Sequence, residues 1–301
     1  MSSKDKTWWI KYQGHIPCAG IFFPDEDWIS LKSSRGYKLH TYRFHLEAPQ
    51  AIVFLFHGIH VSSGIFSYLA KRLYELNIAV LAFDQECHGK SQGKLGIIYT
   101  IDEYINCGIK YIEKSIENYP KNTPIFILGE SMGGTICMNI ALEMQSMIKG
   151  MVLFAPALAA SPSFSPFLIK LARCLGCLCP RMPTKSPDLK SLSRNPYNEG
   201  WYQENPEYYT GKTKARTGSA LLKSFDKLRP RLKNVRVPFI IFQGGNDTKV
   251  NIEVNRKFVE NSAVEDKEFV YYEEMRHEVC NEPEIEEIIE KVLNWISQRI
   301  S

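Results

Sequence analysis

A serine hydroxyl becomes a useful nucleophile when a base removes its proton and a carboxylate orients that base. This chain holds candidates for all three roles. In "GESMG" (residues 129–133), Ser131 sits between Gly129 and Gly133, directly after the apolar run "PIFILG". Chance alone yields G-x-S-x-G in some chains of this length, so the flanks matter. A buried strand before the serine and an apolar helix after it form the turn that lifts Oγ to the end of a sheet. Glycines suit such a turn because a Cβ at either position would collide with its neighbours. Ser131 is therefore read as a nucleophile rather than a small turn residue.

Of the seven histidines, only His277, in "EEMRHEVCNEPE", follows the last strand-like run. A loop there can return it to the carboxyl end of the sheet, so His277 is the expected base; taken alone it would read as a solvated loop histidine. Asp247 in "FQGGNDTKV" follows the penultimate strand, where loops after parallel strands gather at the active edge. Asp266 in "AVEDKEF" precedes its strand and belongs at the opposite edge. The order Ser131, Asp247, His277 is the one expected of an α/β-hydrolase. An oxyanion hole needs two backbone N–H donors. Met132 supplies one from the start of its helix, and Ile59, in "HGIH" after "AIVFLF", is assigned the other. His57 and His60 read as loop-packing residues.

The elements that must position these groups are legible as six apolar runs: "AIVFLFH" (51–57), "IAVLAFD" (78–84), "PIFILG" (124–129), "GMVLFAP" (150–156), "PFIIFQG" (238–244) and "EFVYYEE" (268–274). Continuous rather than alternating apolar runs mark strands buried on both faces of a parallel sheet. Helical patterns separate most of them, at 66–77, 101–119 and 131–145, and another closes the chain. The expectation is an α/β fold, a mostly parallel central sheet flanked by helices. "WISLKSSRGYKLHTYRFHLE" predicts an antiparallel hairpin at the sheet edge.

Between residues 156 and 237 this rhythm breaks, and about 80 residues are too many for an ordinary loop. They are read as an inserted helical cap, with 1–155 and 238–301 forming the hydrolase core. The cap opens with Phe164, Phe167, Leu168, Leu171, Leu175 and Leu178 at helical spacing, with Lys170 and Arg173 among them. Such a helix can cover an acyl tunnel, rest on a lipid surface, or pack on the main domain.

The 301 residues, 44% hydrophobic, suffice for one large domain with an insertion. Thirty-seven basic against 33 acidic residues, with no block of like charge, give no reason to expect nucleic acid. No apolar stretch reaches the roughly 18–20 residues of a membrane span, and "MSSKDKTWWIKYQG" lacks a signal-peptide core. A soluble cytoplasmic protein is expected, touching membranes only peripherally through the cap. Eight cysteines scattered through core-like segments read as buried thiols. "CLGCLC" (Cys174, Cys177, Cys179) lacks a second ligand pair for zinc and reads as free thiols or an acylatable cluster. No metal or organic cofactor is called for.

The segments "HGIHVSSG", "FDQECHGKSQG", "PIFILGESMGGTIC", "GMVLFAPAL", "GGNDTKV" and "RHEVCNEPE" together resemble the ordered motifs of the monoglyceride lipase and lysophospholipase group of α/β-hydrolases. In the cap, "NPEYYTGKTKARTGSALL" is similar to plant and protozoan members. The resemblance covers most of the chain from about residue 30. It implies Ser131, Asp247 and His277 as the triad, Ile59 and Met132 as oxyanion donors, and a lipid ester such as a monoacylglycerol or lysophospholipid as substrate. Two departures stand out. Ile59-His60-Val61-Ser62 replaces the small residues usual after His-Gly, and Cys87 stands where glycine is usual. An esterase for short or aromatic acyl groups can use the same triad, and a hydrolase-fold receptor can retain it without turnover.

Overall fold

A computed structural model of the chain describes residues 7–184 and 186–300. All six apolar runs are strands: β5 (Ala51–Phe56), β6 (Ile78–Phe83), β7 (Ile125–Glu130), β8 (Ile148–Phe154), β9 (Phe239–Gly244) and β10 (Lys267–Tyr272). They pair in parallel in the order β6-β5-β7-β8-β9-β10. Two short antiparallel strands, β4 (Thr41–Phe44) and β1 (Asp25–Glu26), extend the sheet beyond β6.

The alternation of side chains across this sheet explains the unbroken apolar runs. Phe54 and Phe56 of β5 face one core, with Leu81, Phe83, Tyr104, Tyr111 and Met151. Val53 and Leu55 face the other, with Val80, Leu128, Val152 and Phe242. Helices α2 (Ile101–Ile116) and α3 (Met132–Glu143) cover the first face, while α1 (Ser67–Glu75) and α8 (Ile285–Ser297) cover the second. Each fully buried Phe or Leu contributes roughly 1.5–3 kcal/mol, so neither face tolerates a polar run.

The hairpin differs from its expectation in placement. β2 (Leu31–Lys32) and β3 (Lys38–Leu39) pair only with each other, off the main sheet. The cause is local: Glu103 of α2 accepts the Ser34 N–H at 2.5 Å and its hydroxyl, drawing the turn onto α2, while Leu31 and Leu39 bury into the core.

Among the described residues, the α-helices between β8 and β9 are α4 (Pro166–Leu178), α5 (Asn198–Glu204) and α6 (Ala215–Leu228). Ser165 caps α4 by accepting the Leu168 N–H, with Pro166 at the first turn. α4 lies against α6 so closely that a Cβ on Gly176 would sit 2.2 Å from the Cβ of Ser219. α6 reaches back to the body, where its Ala220 and Leu228 join the core beneath the sheet. The outer side of α4 stays uncovered, with Phe167 75% and Leu178 77% exposed, and Cys174, Cys177 and Cys179 are exposed free thiols. α7 (Ile252–Asn261) connects β9 to β10. No described helix is long and apolar enough to cross a membrane.

Candidate active site

Ser131 is the residue between β7 and α3, and its backbone adopts φ 55°, ψ −114°. That conformation is costly for a residue with a Cβ. It is locked from several sides. Its N–H donates to Phe154 O at 2.9 Å, and its carbonyl accepts from Gly134 N at 3.0 Å and Ala157 N at 2.9 Å. The glycines are required by contact rather than by torsion. A Cβ on Gly129 would lie 2.4 Å from the Gly133 carbonyl, one on Gly133 would lie 1.8 Å from Phe56 O, and one on Gly134 would lie 2.6 Å from the Pro156 side chain. α3 thus starts in direct contact with the end of β5, which is why "GESMGG" tolerates no larger residue at these three places.

Asp247 and His277 meet, as their positions after β9 and β10 suggested. His277 Nδ1 lies 2.7 Å from Asp247 Oδ2, and both side chains are nearly enclosed. The other carboxylate oxygen, Oδ1, accepts the N–H groups of Lys249 (2.7 Å) and Val250 (3.2 Å). Burial pushes the Asp247 carboxyl upward, but the charge and hydrogen bond of His277 with the two N–H donors outweigh it and hold Asp247 below its ordinary value. An ionised Asp247 accepting from Nδ1–H fixes the tautomer that leaves Nε2 free to take a proton. Ser131, Asp247 and His277 all follow the carboxyl ends of parallel strands, along the β7-β8-β9-β10 edge.

Met132, expected above as an oxyanion donor, is the first residue of α3, where a helix leaves its N–H groups without intrahelical acceptors. The loop bearing Ile59 comes alongside, since a Cβ on Gly58 would stand 3.5 Å from both Glu130 O and Ser131 Cβ. His57 serves that loop. Its Nδ1 donates to Gly58 O at 2.7 Å and its Nε2 accepts from Gln85 N at 2.9 Å. Burial lowers His57 to about 4, keeping it neutral. The two departures noted above fall on left-handed backbone, with His60 at φ 67° and Cys87 at φ 65°. Glycine would hold either conformation without the penalty that a Cβ brings.

Some supporting groups left no mark in the sequence pattern. Gln243 donates to Asp247 Oδ2 at 3.3 Å and accepts from Asn255 Nδ2 at 2.8 Å, which also donates to Pro156 O. The loop bearing His277 is tied to the inserted segment as well. Glu278 N–H donates to Leu192 O at 2.8 Å, Ser193 Oγ donates to Asn281 O, and Arg194 Nε donates to the buried Glu282 at 2.8 Å.

Residues 47–284 match the family model described as serine aminopeptidase, S33. The chain belongs to this family. Human monoglyceride lipase is 30% identical over 254 residues, covering 83% of this chain and 84% of that one. The monoacylglycerol lipase of Mycolicibacterium smegmatis is 29% identical over 82% of this chain and 88% of its own. Among solved structures, the Paleococcus ferrophilus monoacylglycerol lipase superposes with a TM-score of 0.75 at 28% identity, covering 86% of this chain and 99% of that one. The superposition with the Paleococcus ferrophilus enzyme supports the α/β-hydrolase arrangement expected from the motifs.

Proposed function

We propose that the protein hydrolyses carboxylic esters of lipids, with monoacylglycerols and lysophospholipids as the substrate class. The observation that carries this reading is a serine held at φ 55° between strand and helix, on the same sheet edge as a buried Asp247–His277 pair. The similarity to monoglyceride lipases supplies the substrate class.

In this reading Ser131 Oγ attacks the ester carbonyl carbon while His277 Nε2 takes its proton. The carbonyl π electrons move to oxygen, and the N–H groups of Met132 and Ile59 receive the resulting anion. Asp247 stabilises the imidazolium. Collapse expels the glycerol-side oxygen, which takes the proton from His277, leaving an acyl-serine. Water then repeats the sequence, and the fatty acid leaves with Ser131 restored. The inserted segment 156–237 acts as a lid, and the exposed apolar side of α4 rests on a lipid surface.

Turnover of long-chain against butyryl monoacylglycerols by the purified protein tests the substrate class. Higher kcat/KM for the long chain is expected. Preference for acetyl or butyryl esters overturns the lipid reading. For the lid, Phe167→Glu with Leu178→Glu should lower sedimentation with anionic vesicles at least ~10-fold; unchanged binding removes α4 as the contact.

A further inference from the structure

The cysteines divide sharply by exposure. Cys18, Cys87, Cys107, Cys137 and Cys280 are buried, whereas Cys174, Cys177 and Cys179 are exposed free thiols. These three share one end of one helix. Cys174 and Cys177 belong to the last turns of α4, and Cys179 follows its final residue, with its N–H donating to Leu175 O at 2.8 Å.

Contacts with α6 fix which way α4 faces. The buried Gly176 lies against Ser219, and Arg173 Nη1 and Nη2 donate to Asp226 Oδ2 and Oδ1 at 2.5 and 3.0 Å. The opposite face carries Phe167, Leu171, Cys174 and Leu178, whose spacing of four, three and four residues makes one stripe along a helix. Phe167, Leu171 and Leu178 are 75%, 39% and 77% exposed, so the Cys174 thiol stands within an uncovered apolar stripe. The three thiols are not a metal ligand set, since no group of three or more His, Cys, Asp or Glu among the described residues could hold an ion. A thiol on the apolar side of an amphipathic helix meets a bilayer at the depth where long-chain acyl thioesters partition.

We infer that Cys174 is a site of S-acylation, with Cys177 and Cys179 beside it as further acceptors, and that the attached chain enters the bilayer alongside Phe167 and Leu178. The Cys174 sulfur gives up its proton and attacks the carbonyl carbon of a long-chain acyl thioester of the coenzyme A class. A new S–C bond forms, the donor's S–C bond breaks, and the donor thiol leaves with the proton. No electrons are gained or lost, and hydrolysis of the thioester reverses the modification. One acyl chain holds a protein on a membrane only marginally and needs a second signal, which the apolar stripe supplies. The inference rests on the reading of α4 as the lipid-contacting helix and is independent of the triad.

The test compares wild type with the triple variant Cys174→Ser, Cys177→Ser, Cys179→Ser, each expressed as the full chain in a eukaryotic host cell. Thioester-linked chains are released with hydroxylamine, the freed thiols are mass-tagged, and the tags are mapped by peptide mass spectrometry. A hydroxylamine-dependent tag on Cys174 is expected. In the triple variant the tag should be lost and the membrane-bound fraction should fall at least ~10-fold, with circular dichroism and hydrolysis of a soluble p-nitrophenyl ester unchanged. A wild type with no such tag on Cys174, recovery of these thiols as a disulfide, or a triple variant that stays on membranes as wild type does overturns the proposal. Unacylated protein from a bacterial host separates this inference from the one beneath it. If that protein binds anionic vesicles and Phe167→Glu with Leu178→Glu does not, while the cellular tag is missing, the α4 contact stands and the acylation fails. If the double variant binds vesicles as wild type does, the contact fails and the inference with it.

Discussion

Replacing Gly133 with alanine puts one methyl group into the tightest contact of the site. Its Cβ would stand 1.8 Å from Phe56 O and 2.6 Å from Phe56 C, where ordinary contact begins at 3.4 Å. Helix α3 must therefore part from the end of β5 by about 1.6 Å, because the obstruction is backbone and has no rotamer to adopt. Overpacking of this kind costs about 3 kcal/mol. For a chain of 301 residues, an unfolding entropy near 0.6 kcal/mol/K converts that cost into a fall in Tm of about 5 °C. The same movement displaces Ser131 and the Met132 N–H, and misplacement by about 1 Å costs on the order of 10²-fold in rate. Differential scanning calorimetry and the rate of fluorophosphonate labelling read the two effects separately. A Gly133→Ala protein with wild-type Tm and wild-type labelling would refute the claim that this contact builds the serine turn.

Further consequences follow from the neighbouring groups. Asp247→Asn removes the anion that fixes His277, and kcat should fall about 10⁴-fold at neutral pH; a loss under ~10-fold counts against the pair seen at 2.7 Å. Arg194→Ala leaves Glu282, whose side chain is 0% exposed, without its ion partner. Urea unfolding should report a loss of about 3–5 kcal/mol, and an unchanged midpoint would show that Glu282 needs no counter-charge. His57 is held at about 4 against an ordinary 6.5, so the unfolded chain binds its proton first as pH falls. Its contribution, ~3 kcal/mol in full, is therefore lost between pH 6.5 and about 4. Wild type should lose more stability over this window than His57→Gln, and parallel pH dependences would contradict the neutral assignment.

The sheet was legible because a strand buried on both faces has nowhere to place a polar side chain. Runs such as "AIVFLF" therefore announce themselves, and Asp247 and His277 follow from where such runs end. The hairpin at 31–39 was placed less well, since its position depends on Glu103, about 70 residues away, accepting from Ser34. Long-range capture of that kind leaves no local period. The same limit hid Gln243 and Asn255. Each occupies an ordinary-looking position in the sequence, and only packing shows that its polar atoms are enclosed. His60 and Cys87 were visible as unusual residues, while the positive φ that makes them unusual belongs to the fold.

Mass spectrometry of the fluorophosphonate-treated protein, with the adduct mapped by peptide sequencing, addresses the nucleophile itself. One adduct, on Ser131, is predicted. Ser131→Ala should lose both the adduct and at least ~10³-fold of its monoacylglycerol hydrolysis while keeping the wild-type circular dichroism spectrum. An adduct on another residue, or hydrolysis persisting in a folded Ser131→Ala protein, would contradict the account.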